Sequence, residues 1–247
     1  MDAMIFAAGL GTRLGLLGQA TPKALIEIAG RTMLERTAAR LVEAGATRIV
    51  VNVHHQAERI ERFIAGHDLG AEVLVSHEPG SPLETGGGLL HARDLLRRDD
   101  TLLLHNVDVI CGVSLRPLAE AQGSGAALAT LAVSARETAR YLLFDDAGLF
   151  GREDRRDGTR REARPPRGPV RSLAFAGIHA CSPQLLDLIS ERGTFPLVDV
   201  YLRLAAEGHV IAPWLLDVDQ WLEIGSLERL QAACARLEGM PPTLQSG

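Results

Sequence analysis

Short apolar runs alternate with longer amphipathic stretches through the first half of the chain. Residues 3–7, 48–53, 72–76 and 101–105 carry too few polar positions to leave one face in water, and their lengths suit buried strands. Between them, residues 32–44, 56–65 and 86–97 read as helices, and Gly45 and Gly66 stand where helix-ending glycines belong. Strand, helix, strand at this spacing predicts a parallel sheet covered on both faces.

After Asp108 the pattern changes. Runs at 126–133, 141–144 and 173–180, with the turn Asp145-Asp146-Ala147-Gly148 behind the second, predict antiparallel strands added to that sheet. Residues 151–171 are dense in arginine, acids, glycine and proline and have no apolar period. They read as a mobile surface loop or a long hairpin tip whose arginines could close over an anionic substrate. Helical runs at 183–191, 198–206 and 227–237 surround a last strand at 209–216, and the tail 240–247 reads as frayed. The fold class expected is α/β: a Rossmann-like, mixed but mainly parallel sheet with helices on both faces, in a single domain spanning 1–239.

With 46% hydrophobic residues among 247, the chain can bury a substantial core. Its net charge of -5 gives no basic field for nucleic acid, so an anionic ligand must be held locally. Cys111, Cys181 and Cys234 are far apart and form neither a zinc nor a disulfide pattern. No stretch approaches the length of a membrane span, and a cytoplasmic protein without membrane partners is expected.

Of 26 basic residues, all but Lys23 are arginine. Arginine is a planar fork and lysine a compact, mobile point charge, so one retained ammonium points to an oxygen that shifts during reaction. Lys23 follows Ala7-Ala8-Gly9-Leu10-Gly11-Thr12-Arg13-Leu14. A strand running into such a turn offers backbone N–H groups, a hydroxyl and a guanidinium to a phosphate. The Gly-Lys-Ser/Thr of a P-loop is missing, and Leu14 stands where a dinucleotide fingerprint needs its third glycine.

Taken in order, Gly-x-Gly-Thr-Arg-Leu, Pro22-Lys23, Glu84-Thr85-Gly86-Gly87-Gly88, Asn106-Val107-Asp108 and Trp221-Leu222-Glu223-Ile224-Gly225 resemble the sugar-phosphate nucleotidyltransferase family, in particular its short bacterial uridylyl- and guanylyltransferases. The resemblance implies that residues 1–110 bind a nucleoside triphosphate and residues 111–239 a sugar 1-phosphate. It assigns Arg13, Lys23 and Asp108 to catalysis, and Ala7, Ala8, Gly9, Gly11, Thr12, Arg13, Glu78, Gly80, Thr85, Gly86 and Asn106 to the nucleotide. It places Gly177 and Asp199 on the sugar phosphate, and Asp108 with Glu223 on Mg²⁺.

Three departures from the family pattern stand out. Glu223 replaces an aspartate, which leaves direct ligation, ligation through water and reduced activity all open. Val107 stands where many relatives have glycine, and residues 151–171 lack a glutamate-lysine-proline segment. Glu84 reads equally as a first-turn helix charge, and Asp199 equally as a helix cap. His54 and His55 face opposite ways on a strand, and His77, His105 and His179 are expected to be structural. A catalytically weak or regulatory relative and an NAD(P)-binding Rossmann protein are the competing readings. A homo-oligomer is allowed by the sequence.

Overall fold

The structure, a computed structural model, describes residues 1–238; the expected frayed tail lies outside them. Strand β1 (Asp2–Phe6) is buried along its whole length. Its alternate residues enter two separate cores: Ala3 and Ile5 in one, Met4 and Phe6 in the other. That division is what a sheet with helices on both faces requires.

After β1 come the short helix α1 (Leu16–Ala20) and the two-residue strands β2 (Glu27–Ile28) and β3 (Arg31–Thr32). Helix α2 (Met33–Glu43) begins with a capping box: Thr32 Oγ1 accepts from Glu35 N–H at 3.2 Å, while Glu35 accepts from Thr32 N–H at 2.8 Å. It buries Met33, Leu34, Ala38 and Leu41. Strand β4 (Arg48–Val53), helix α3 (Ala57–Gly66), strand β5 (Glu72–His77), helix α4 (Glu84–His91) and strand β6 (Leu102–Asn106) complete the parallel half. β1 pairs in parallel with both β4 and β6, and β4 with β5.

The rest of the chain adds β7 (Val109–Cys111), α5 (Arg116–Ser124), β8 (Ala129–Ser134), β9 (Arg140–Asp145), β10 (Gly148–Asp154), β11 (Thr159–Glu162), β12 (Arg171–Cys181), α6 (Leu185–Leu188), α7 (Leu197–Ala206), β13 (Ile211–Leu215), β14 (Trp221–Glu223) and α8 (Leu227–Glu238). Eight strands run in the order β11-β10-β9-β12-β6-β1-β4-β5, with β8 also beside β12 and β13 beside β8. β12 is antiparallel to β6, β8 and β9. It is the strand that joins the two halves into one sheet. β13 returns parallel to β8, and β14 pairs only with β7 in a small ribbon.

Several expectations are corrected. Gly45 adopts the left-handed conformation beyond α2 (φ 107°), but Gly66 is the last helical residue of α3 and His67 follows it in extended conformation. α4 begins at Glu84 and ends at His91, and residues 93–95 form a separate 3₁₀ turn. The expected helix at 183–191 contracts to four residues: Ile189 turns extended, and the Leu188 carbonyl accepts from Arg203 Nη2 at 2.8 Å in place of a helical partner. Of the two forms expected for residues 151–171, the hairpin is the one found: residues 151–154 of β10 pair with β11 at 159–162. Helix α5 and the β7–β14 ribbon had no counterpart in the sequence reading.

Candidate active site

The carboxyl ends of β1 and β6 lie side by side, with Phe6 opposite Asn106. An open parallel sheet presents its ligands at that edge. The loop leaving β1 is set by glycine geometry. Gly11 is left-handed at φ 68°, and a Cβ on Gly18 would collide with the Gly11 carbonyl oxygen, so the loop folds back upon α1. Within the turn, Leu14 N–H donates to Gly11 O at 2.9 Å and Gly15 N–H to Thr12 O at 3.1 Å. A side chain on Gly9 would meet no atom within 4 Å, so its Cα faces open space. Gly9, Thr12 and Arg13 thus line an open crest, and Gly11 and Gly18 give it its shape.

Lys23 opens a 3₁₀ turn after Pro22 and aims at Asp108, just beyond β6. Its Nζ donates to Asp108 Oδ2 at 2.8 Å, and the two side chains keep only 12% and 18% of their exposure. Glu223, on β14, reaches the same region because Ile224 N–H donates to the Asp108 carbonyl at 2.9 Å. Its carboxylate pairs with Arg229 of α8 and lies 3.8 Å from the Arg13 guanidinium. A Cβ on Gly225 would collide with Glu223 Oε1, so that glycine makes room for the carboxylate.

Gly177 interrupts β12 at φ 77°, where the register with β8 shifts between Phe175 and His179. A side chain there would come within 2.8 Å of Asn106 Nδ2 and 3.2 Å of Val109. The strand therefore passes directly over the end of β6. Trp221 Nε1 donates to the Ala176 carbonyl at 2.8 Å, and Arg136 lies 3.9 Å above the Trp221 ring. Sequence reading missed Arg136 and Arg229; neither sits in a motif.

Other assigned residues are occupied within the protein. Ala7 N–H donates to Asn52 Oδ1 at 2.8 Å. Glu78 is buried, accepting from Asn52 Nδ2 at 2.5 Å and from Leu83 N–H at 2.7 Å. Thr85 Oγ1 accepts from Leu197 N–H at 3.0 Å, and Gly86 N–H donates to the Phe195 carbonyl at 3.0 Å. These hydrogen bonds brace the loop, and the Gly80 carbonyl accepts from His54 Nε2 at 2.7 Å. The three glycines of α4 are contact points, since side chains there would strike Phe195, the Gly193 carbonyl and Glu78 respectively. Asp199 does not cap α7, whose N-cap is Pro196. It sits between Arg152 at 2.8 Å and Arg161 at 3.6 Å. The hairpin's arginines are likewise committed: Arg155 to Glu153, Arg156 to Asp154, Arg160 to Glu162, and Arg164 to the buried Asp145.

His105 and His179 are buried close to the site, and burial pushes their pKa values down to about 4 and about 3. His179 shares a hydrogen bond with Tyr201 at 2.7 Å. Both rings are neutral at physiological pH and add no charge to the cleft. Among the described residues no helix is long and apolar enough to cross a membrane.

A glycine-shaped crest, an ammonium and a carboxylate at the sheet edge describe a nucleotidyltransferase. The chain belongs to the MobA-like NTP transferase domain family, whose match spans residues 3–193. It is 34% identical over 245 residues to the N-acetylmuramate alpha-1-phosphate uridylyltransferase of Caulobacter vibrioides, covering 95% of this chain and 96% of that one. It is 30% identical over 230 residues to a probable mannose-1-phosphate guanylyltransferase of Oryza sativa, covering 91% of this chain but 61% of the rice protein. A structure described as a Bacillus anthracis glucose-1-phosphate thymidylyltransferase superposes with a TM-score of 0.80 at 18% identity, over 98% of this chain and 96% of that one. This last likeness speaks for the fold.

Proposed function

We propose that the protein transfers a nucleotidyl group from a nucleoside triphosphate to a sugar 1-phosphate, releasing pyrophosphate. The observation that carries this reading is the Lys23–Asp108 pair beside the glycine-shaped crest. A phosphate oxygen of the sugar attacks the α-phosphorus, a new P–O bond forms, and the bond to the β-phosphate oxygen breaks with its electrons on pyrophosphate. The attacking oxygen is already ionised, so no general base is required, in keeping with the two neutral, buried histidines.

Two anions must be brought together, so the burden falls on positioning and on charge. The crest from Gly9 to Thr12 and the exposed guanidinium of Arg13 receive the β- and γ-phosphates. Lys23 lies where it can exchange Asp108 for the oxygens of the α-phosphate and the incoming phosphate. The donor set suits Mg²⁺: Asp108 and Glu223 are hard carboxylates, and magnesium sites of this kind use one or two carboxylates with substrate phosphates and water. Asp108 would hold the ion, and Glu223 could join it only by releasing Arg229. When bound, Mg²⁺ neutralises charge developing on the phosphates.

Pyrophosphate release from a matrix of four triphosphates against several sugar 1-phosphates tests the reading, with UTP and N-acetylmuramate 1-phosphate as the first pair. Release with one pair supports it. No release with any pair, in protein shown to be folded, would leave nucleotide-sugar binding without turnover as the better reading, which the arginine-held Glu223 favours.

A further inference from the structure

The cations around the cleft are largely spoken for. Lys23 pairs with Asp108, Arg229 with Glu223, Arg152 and Arg161 with Asp199, and Arg164 with Asp145. Arg136, in the loop between β8 and β9, differs from these. Among the described residues no carboxylate lies within ion-pairing distance of it; Glu223 attracts it from farther off while Arg229 opposes, and it is held in place at two points. Its Nη2 donates to the Phe175 carbonyl at 2.9 Å, and its guanidinium carbon lies over the Trp221 ring, 3.9 Å from the centroid. Its Nε is buried with no hydrogen-bond partner.

Both anchors belong to the site. Phe175 and Ala176, the latter holding Trp221, immediately precede Gly177, which lies against Asn106. Trp221 and Glu223 alternate on β14 and so share a face. That face carries Glu223 toward Arg13. Arg136 is therefore fixed on the β12 side of the cleft. A guanidinium kept partly buried, with only the distant Glu223 carboxylate that Arg229 already holds, costs stability unless something else repays it. A planar fork whose stacked face is fixed has its remaining donors aimed in advance.

We propose that Arg136 is the sugar-side anion contact: a preset guanidinium that receives an oxyanion of the sugar 1-phosphate. This rests on the proposed transfer reaction and adds to it the residue that selects the acceptor. The oxyanion can be the 1-phosphate common to all acceptors or a carboxylate on the sugar itself, as on a muramic acid. Loss of Arg136 would weaken every acceptor alike in the first case and only the acidic sugar in the second.

The test compares the full-length protein with Arg136→Gln and Arg136→Lys, measuring KM for the acceptor and for the triphosphate together with thermal melting. A lost hydrogen bond to a charged group corresponds to roughly 10- to 100-fold in affinity. Arg136→Gln is expected to raise the acceptor KM by about that factor, with the triphosphate KM within about twofold. Arg136→Lys should recover only part of the loss, because an ammonium has no planar fork to stack on Trp221. Calorimetric titration with the sugar 1-phosphate alone gives the same comparison without turnover. Trp221→Phe, which keeps a ring under residue 136, should leave the acceptor KM nearer to wild type than Arg136→Gln does. An unchanged acceptor KM and affinity, or an equal rise in both KM values alongside a lowered melting temperature, overturns the assignment while leaving the transfer reaction standing. No turnover by the wild-type protein with any pair removes the transfer reaction, and this assignment with it.

Discussion

Lys23 and Asp108 lie 85 positions apart in the chain and meet at 2.8 Å. Each balances the charge of the other before any ligand arrives, so the cleft holds an ammonium in reserve. In the proposed reaction, entry of two phosphates would offer the ammonium better partners and free the carboxylate for a metal ion. Removing either member should therefore act on the transition state. Lys23→Ala and Asp108→Asn are each expected to lower kcat by about 10²- to 10³-fold, the scale for losing one preorganised electrostatic group. Lys23→Arg should rescue little, since the fork cannot follow a moving oxygen as an ammonium can. Steady-state pyrophosphate release checks all three, and a variant retaining wild-type kcat would refute the assigned role.

The glycines divide into two groups with opposite expected behaviour. A methyl group at Gly86 would run into Phe195, its carbonyl oxygen 2.9 Å away, whereas one at Gly9 meets nothing. Gly86→Ala should lower stability by roughly 1–3 kcal/mol, the usual cost of overpacking, with losses of activity that follow the unfolding. Gly9→Ala should leave the melting temperature unchanged and raise KM for the triphosphate. Thermal denaturation and kinetics on the same two proteins separate shape from contact.

This division also marks how far the sequence could be read. The parallel half was legible because its strands are buried on both faces and its helices are amphipathic, so periodicity and burial agree. That Lys23 and Asp108 come together beside the Gly9–Gly11 turn was legible because the residue types and their order pointed to one site. Thr85, Gly86 and Glu78 have the same residue types a base-binding loop would use, yet they are spent on Leu197, Phe195 and Leu83. Only the partner distinguishes the two uses, and two of those partners are more than a hundred residues away. Arg136 was invisible for the complementary reason: in a chain so rich in arginine, nothing in residue type or spacing marks the one held by Trp221 and the Phe175 carbonyl.

Two buried histidines predict the acid response. His105 and His179 are neutral in the fold, with pKa values of about 4 and about 3, against 6.5 when exposed. The unfolded chain therefore binds their protons first, and stability falls as pH drops below 6.5. At pH 5 the loss is roughly 2 kcal/mol for each ring, from ~1.4 kcal/mol per pH unit. Asp145 acts lower on the scale. Hydrogen bonds from Arg164, together with the Arg167 and Ala147 N–H groups, hold its pKa well below the usual 3.8. Its contribution is intact above that value and is lost as pH falls beneath it. Chemical denaturation from pH 8 to 3 should show constant stability above pH 7 and a decline beginning near 6.5. A flat profile down to pH 5 would contradict the neutral, buried assignment.

Glu223 supplies the sharpest test of whether the site is adapted or impaired. If the longer side chain were a defect in a magnesium site, Glu223→Asp would restore the family's aspartate and raise turnover. The geometry argues for the opposite result. The carboxylate is held between Arg229 and Arg13, and Gly225 leaves the space it occupies. An aspartate would withdraw from both arginines and leave that space unfilled, so Glu223→Asp is expected to lower kcat by about tenfold, the loss of one charge-assisted contact. Gly225→Ala, which pushes the same carboxylate out of place without altering its charge, should produce a loss of similar size. Kinetics of the two variants against wild type over a range of Mg²⁺ concentrations decides the matter. A tenfold gain in Glu223→Asp would show that the site is mismatched to its metal, and parallel losses in both variants would show that the glutamate and its glycine are matched to each other.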